Sequence, residues 1–224
     1  MKEISGLILL DKPSGPTSHD MVDRVRRKLG ISKIGHAGTL DPSATGLLII
    51  LAGRAAKKQS EFLHMDKVYS GTVLFGIETD TWDMAGNVIS QVSDFDLKKE
   101  EIEKHIFSLS GEIIQKIPPY SAVKKNGVPL YKLARKNLPV PQLEKKVKTE
   151  WISWNLSGKE LFFRVKCSSG TYVRSLAQEL GLKTQVKAVL KDLRREKIGP
   201  YDVKDAFDEK SFESADTDSL LKPL

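Results

Sequence analysis

The stretch GHAGTLDPSATGLLIILAG, residues 35–53, changes character halfway along. Residues 35–46 hold three glycines, one histidine and an aspartate followed directly by proline, and residues 47–52 are apolar without a break. A short apolar run of this length, bounded by turn residues, predicts a buried strand, and it is too short to cross a bilayer. The part before it predicts a tight, permissive loop at the entrance to that strand. Taken alone, Asp41 reads as a turn former, because Asp-Pro favours turn initiation and an aspartate side chain can bond the backbone two residues on. His36 alone reads as a polar loop residue, Tyr69 as core and Arg174 as a surface ion-pair partner.

Working outward, LILLD at 7–11 predicts a second short buried strand, followed by the turn KPSGPTS. Ser18 is the expected N-cap of a helix through Leu29, with Met21, Val22, Val25 and Leu29 on one side and Gly30 as its stop. A short helix is expected over 56–65. KVYSGTVLFG, 67–76, predicts a strand with Tyr69, Gly71, Val73 and Phe75 alternating on one face. The acidic loop IETDTWDMAGN leads to DLKKEEIEKHIFSLSG, a surface helix with Ile102, Ile106 and Leu109 inward. Residues 115–148 are rich in proline and lysine and read as an extended arm with one short helix, outside the core. Strands are expected at 149–156 and 160–167. SSGTYVRSLAQELG reads as a turn and then a helix ended by Gly181, and VKAVLKDLRREKIG as a helix leading into a strand. Strands and helices alternate without a regular βαβ period, which predicts an α/β (α+β) domain around one large sheet.

The 224 residues fit one large domain, and the lone Cys167 excludes a disulfide framework or a cysteine-rich zinc site. A reducing, cytoplasmic setting follows. The formal charge is +7 and it is unevenly spread. Residues 116–148 carry 9 Lys/Arg against 1 Asp/Glu and residues 164–197 carry 9 against 3, whereas 61–115 carry 4 against 11. Basic blocks of this kind point to a polyanion, nucleic acid above all. Phosphate loops, dinucleotide fingerprints, zinc-protease helices and serine elbows are all missing, which argues against nucleotide hydrolysis, redox chemistry and serine hydrolysis. The Gly35-to-Gly38 spacing has the form of the RNA-clamping GXXG loop, but a strand rather than a helix is expected to follow it.

Six blocks occur in one order: GLILLDKPSGPTS; GHAGTLDPSATGLLII; KVYSGTVLFGIETDTWDMAGN; IPPYSAVKKNGVPLYKLAR; CSSGTYVRSL; and LKDLRREKIGPYDV. This sequence resembles the TruB family of tRNA pseudouridine synthases from about Gly6 to about Ala206. The resemblance implies the pseudouridine synthase catalytic fold, a large mixed, mainly antiparallel sheet flanked by helices, over residues 1–206. It further implies that 115–148 is an inserted RNA-binding arm. Residues 207–224 would then be a tail without the complete PUA domain common in bacterial members.

The implied reaction turns a uridine in tRNA, expected at position 55 of the T loop, into pseudouridine. No metal and no cofactor is implied. Asp41 would be the catalytic aspartate, Arg174 its partner, and Tyr69 would stack on the target uracil. His36 would enter the space left by a flipped base; Tyr172 would contact the base, Leu193 would form an apolar wall and Asp83 would be a positioning acid. Ser169 stands where family members often carry a lysine, which puts one phosphate contact in doubt. The stand-alone bacterial type is implied, acting as a monomer without an obligate protein partner. Two other readings fit the same residues. One is a catalytically inactive RNA-binding or tRNA-chaperone module; the other is a carboxylate-based hydrolase that uses Asp41 and Asp83 and releases free base.

Overall fold

The structure is a computed structural model that describes residues 4–223. Nine strands belong to one mixed, mainly antiparallel sheet flanked by helices, as expected. The chain divides into two compact units, residues 1–70 with 193–224, and residues 71–192.

The first unit is built on two apolar strands, β1 (Gly6–Lys12) and β3 (Thr45–Ala52), paired antiparallel from Gly6 opposite Ala52 to Lys12 opposite Gly46. Both run apolar without alternation because both faces are covered. One face packs Ile8, Leu10, Leu48 and Ile50 against Met21, Val22, Val25 and Leu29 of helix α1 (Ser18–Leu29). The other packs Leu7, Leu9, Leu47, Ile49 and Leu51 against Ala37, Phe62 and Ile198. Each fully buried aliphatic side chain contributes about 1.5–3 kcal/mol, so this double layer is a rigid base for whatever β3 carries at its start. Strand β2 (Ile34–His36) adds to β3 on its other edge, and helix α2 (Gln59–His64) follows a 3-10 turn.

The helix α1 cap differs from expectation by one residue. Thr17 is the N-cap, in a reciprocal box with Asp20: the Asp20 amide donates to Thr17 Oγ1 and the Thr17 amide donates to Asp20 Oδ2. Ser18 is therefore the first helical residue, buried, with its hydroxyl turned away from the cap. Gly30 does end the helix, in the left-handed conformation (φ 65°).

Strand β4 (Lys67–Phe75) runs from the first unit into the second. There a hairpin, β5 (Ile77–Thr79) and β6 (Val88–Gln91), precedes α3 (Lys99–Ser108), which buries Ile102 and Ile106 as expected. Strand β7 (Gly111–Lys116) leads to a small hairpin of β8 (Lys124–Lys125) and β9 (Val128–Pro129), then to helix α4 (Leu130–Ala134). The long strand β10 (Glu144–Ser157) pairs with β7 on one side and with β11 (Glu160–Cys167) on the other. Residues 115–116 and 144–148, at the two ends of the expected arm, thus lie in sheet strands. Gln115, Ile117, Leu130, Ala134 and Val147 are buried, so the segment is not wholly outside the core.

Helix α5 (Val173–Lys183) passes through Gly181 instead of ending there. That glycine is needed for a close approach: a Cβ on it would lie 2.3 Å from the Ala188 amide nitrogen. Residues 188–198 form one strand, β12 (Ala188–Ile198), and the helix expected there is absent. The apolar spacing of Val186, Val189, Leu190 and Leu193 fits a helix, but sheet partners decide the outcome. Strands β3, β4 and β13 (Tyr201–Asp202) all pair with β12, and three of its basic residues meet acids on other strands: Lys191 pairs with Glu160, Arg194 with Asp11 and Lys197 with Asp202. Beyond β12, the short strand β13 pairs back on it, and α6 (Glu209–Ser214) and α7 (Thr217–Leu220) bury Phe212 and Leu220 under β1. Among the described residues no helix is long and apolar enough to cross a membrane.

Candidate active site

Asp41 sits in the loop between β2 and β3, half-buried, one residue before an exposed turn at Pro42 and Ser43. The backbone is fixed on both sides of it. On the N-terminal side the Ser18 hydroxyl takes both polar groups of Leu40, accepting from its amide at 2.8 Å and donating to its carbonyl at 3.1 Å. On the C-terminal side Lys12, wholly buried, donates from Nζ to the carbonyl of Pro42 at 3.0 Å, and to those of Pro13 and Pro16 at 2.7 and 2.8 Å. The Gly15 amide donates to the same Pro42 carbonyl, and the Ala44 amide closes the turn onto the Asp41 carbonyl. Burial pushes the Lys12 ammonium below its ordinary value, and the nearby Asp41 carboxylate pulls it back up. The DKPSGPTS turn and the LDPS turn are thus knitted into one piece, with Asp41 between the braced residues Leu40 and Pro42.

His36 ends β2, five residues before Asp41. The Gln59 side-chain amide donates to its carbonyl at 2.8 Å, and its own Nδ1 is buried without a partner. Burial, and next the Arg195 charge, hold its imidazole below the usual histidine value, so the ring is neutral at pH 7. Leu193 is half-buried on β12, where the parallel register with β3 puts Arg194 beside Thr45 and Arg195 beside Gly46. Its carbonyl accepts from Thr45 Oγ1 at 3.5 Å. Asp41 and Leu193 therefore lie at the start of β3, whereas His36 pairs with Ile50 further along the strand. Tyr69 is buried on β4.

In the second unit Arg174, 6% exposed, lies in the first turn of α5. It is far from the surface ion-pair partner that its place in a helix suggests. Its guanidinium donates to the carbonyls of Thr81 (3.1 Å) and Tyr120 (3.0 Å), and its Nε lies 3.6 Å from Asp83 Oδ2. Asp83 is also buried; its Oδ1 accepts from Thr81 Oγ1 and from the Ala85 amide. Tyr172 precedes the helix, with its backbone amide and carbonyl both taken by the buried Gln115 side chain. The structure thus brings Asp83 to Arg174, which the sequence offered on separate segments, while Tyr172 stands two residues before Arg174 on the same one. Sequence reasoning missed Lys12, Ser18, Gln115 and Arg195 as site residues. Burial is what distinguishes them, and nothing in their spacing signals it. Among the described residues no group of three or more His, Cys, Asp or Glu side chains is placed to hold a metal ion.

Residues 26–173 match the family model described as TruB family pseudouridylate synthase (N terminal domain). A protein of Endomicrobium trichonymphae named tRNA pseudouridine synthase B is 46% identical over 224 residues, covering 99% of this chain and 96% of the relative. One of the same name from Caldicellulosiruptor saccharolyticus is 42% identical, covering 97% of this chain and 75% of the relative. Among solved structures, a Cbf5-Nop10-Gar1 complex superposes with a TM-score of 0.70 at 29% identity, and an H/ACA RNP bound to a substrate RNA containing 2'-deoxyuridine with 0.67 at 27%. These matches cover 92% and 91% of this chain, which spans about half of each matched chain (52% and 50%). The chain belongs to the TruB family of pseudouridylate synthases.

Proposed function

We propose that this protein isomerises a uridine of tRNA to pseudouridine, at position 55 of the T loop, with Asp41 as the catalytic carboxylate. The observation that carries the reading is Asp41 itself, a carboxylate whose flanking peptides are fixed by Ser18 and Lys12. Preorganisation of this kind suits a group that must meet a carbon atom in one geometry. The relatives' names supply the tRNA, and the resemblance supplies the position.

The reaction breaks the bond from N1 of uracil to C1′, turns the base and joins C5 to C1′. The proton on C5 leaves and one returns to N1, so atoms balance and no electron is transferred. An ionised carboxylate serves as nucleophile or base through these steps. Arg174 is the proposed partner that keeps it ionised when the substrate excludes water. Asp83 orients Arg174, and its two other hydrogen bonds fix it for that task. Tyr69 and Tyr172 are proposed to contact the uracil and Leu193 to wall its edge. A neutral His36 suits insertion into a base stack, since a charged ring would have to be dehydrated. The exposed lysines of 117–143 would hold phosphates. We also propose that the protein acts as a monomer in the cytoplasm without an obligate protein partner.

The test is nucleoside analysis of a tRNA transcript incubated with the pure protein. Pseudouridine in the RNA, absent when the transcript carries cytidine at position 55, is the expected result. Free uracil with an abasic RNA would mean a hydrolase. Bound, refolded but unmodified tRNA would mean a chaperone.

A further inference from the structure

Arg195 has no part in the chemistry above, yet its side chain is among the most buried in the described chain, 1% exposed. Its Nε donates to the Leu47 carbonyl at 2.7 Å and its Nη2 to the Gly38 carbonyl at 3.1 Å. Gly38 and Leu47 are the two stems of the loop that carries Asp41. One planar guanidinium therefore closes that loop across its base. The backbone of Arg195 is equally close: it lies opposite Gly46, where a Cβ would run into the Arg195 carbonyl oxygen. Gly38 (φ 99°) and Gly46 (φ 101°) both take the left-handed conformation that the turn around this arginine requires. A Cβ on Gly38 would lie 3.5 Å from Nη1.

Packing alone does not call for an arginine here. Replacing a buried charge by an apolar side chain of similar volume is often neutral or stabilising. What an apolar side chain cannot do is bind two carbonyls, from a loop and a strand, in one fixed plane. We propose that Arg195 is a positioning residue for the isomerisation: its guanidinium sets the Asp41 loop on β3 and fixes the surroundings of His36. The inference rests on the assignment of Asp41 made above. Of the charged groups that act on His36, Arg195 is the strongest and His19 adds a weaker push in the same direction.

The test uses Arg195→Lys and Arg195→Gln in the full chain, with three readouts: single-turnover tritium release from 5-tritiated tRNA, tRNA affinity, and the NMR titration of His36. The lysine variant keeps the charge but loses the fork. It is expected to react about 10–100-fold more slowly at saturating tRNA, with affinity within threefold and His36 titrating as in the wild type. The glutamine variant is expected to slow at least as much and to raise the His36 pKa toward its ordinary value. A lysine variant within twofold of the wild-type rate, or a loss that disappears at saturating tRNA, would overturn the inference. So would a glutamine variant whose His36 titration is unmoved. If the glutamine variant does not fold, the lysine variant decides. A wild type that releases no tritium would instead defeat the proposed function, and the His36 titration would still test the placement of Arg195.

Discussion

The loop that carries Asp41 and the segment 117–143 are both irregular, proline-containing and rich in turn residues, yet they are held in opposite ways. Between Ala37 and Ala44 nearly every turn of the backbone is bonded to a buried side chain: Arg195 at Gly38, Ser18 at Leu40, Lys12 at Pro42. The segment 117–143 is anchored by the buried Leu130 and Ala134 and by local hydrogen bonds, such as the Leu130 amide to the Val123 carbonyl and the Tyr131 amide to the Ser121 carbonyl. Its Lys124, Lys125, Lys132 and Lys136 stand exposed. Chemistry on carbon needs a fixed group, whereas a grip on phosphates tolerates adjustment. Substitutions in the first region should therefore change rate and those in the second should change affinity.

Apart from Asp41 itself, the largest expected break comes from Arg174→Lys. It keeps a charge but loses the fork to Thr81 and Tyr120. Single-turnover rates should fall about 100-fold or more, as for loss of a preorganised electrostatic contact, with tRNA affinity little changed. Ser18→Ala comes next. It strips the buried Leu40 amide and carbonyl of their partner, which should cost about 1–3 kcal/mol in denaturant unfolding and slow the reaction about tenfold through the displaced loop.

Lys124→Ala, Lys125→Ala and Lys132→Ala together should do the reverse. The rate at saturating tRNA should hold, while affinity falls and the slope of log K against log salt flattens by about two to three. Equal rate losses in the serine and lysine variants would erase the contrast between the two regions. The smallest effect is on acid stability. With its folded pKa lowered, His36 stays neutral where an unfolded histidine, near 6.5, takes up a proton. The stability this represents is present above that value and is lost as pH falls toward the folded pKa. His36→Gln should therefore show a flatter decline in stability below about pH 6.5 than the wild type.

The first unit was legible because its signals are local: two unbroken apolar runs, a helix with period-3.6 apolar spacing, and glycine at its end. In 185–198 the local signal pointed the wrong way. Leucines, lysines and arginines at helical spacing became a strand because β3, β4 and β13 supply its backbone partners, and no reading of the segment alone contains those partners. Gly181 misled for a similar reason, since it serves a close approach by Ala188 rather than a helix end. The β8–β9 hairpin, by contrast, carried a readable sign. Asn126 and Gly127, with φ of 51° and 80°, are the residues that a tight hairpin turn favours. At the site, Asp41, His36 and Arg174 stood out through the family's blocks. Ser18, Lys12 and Arg195 act through burial and through contacts 22 to 157 residues away along the chain, which spacing does not encode.

The central claim is that the Asp41 carboxylate performs the chemistry while the rest of the loop only holds it. Asp41→Asn replaces one oxygen by an amide and leaves the loop's braces untouched. Single-turnover tritium release and tRNA affinity, measured side by side, test the claim directly. The account predicts a loss of rate of about 10,000-fold or more with affinity within threefold of the wild type. An Asn variant that still releases tritium within tenfold of the wild-type rate, or that loses activity only because it no longer binds tRNA, would contradict it.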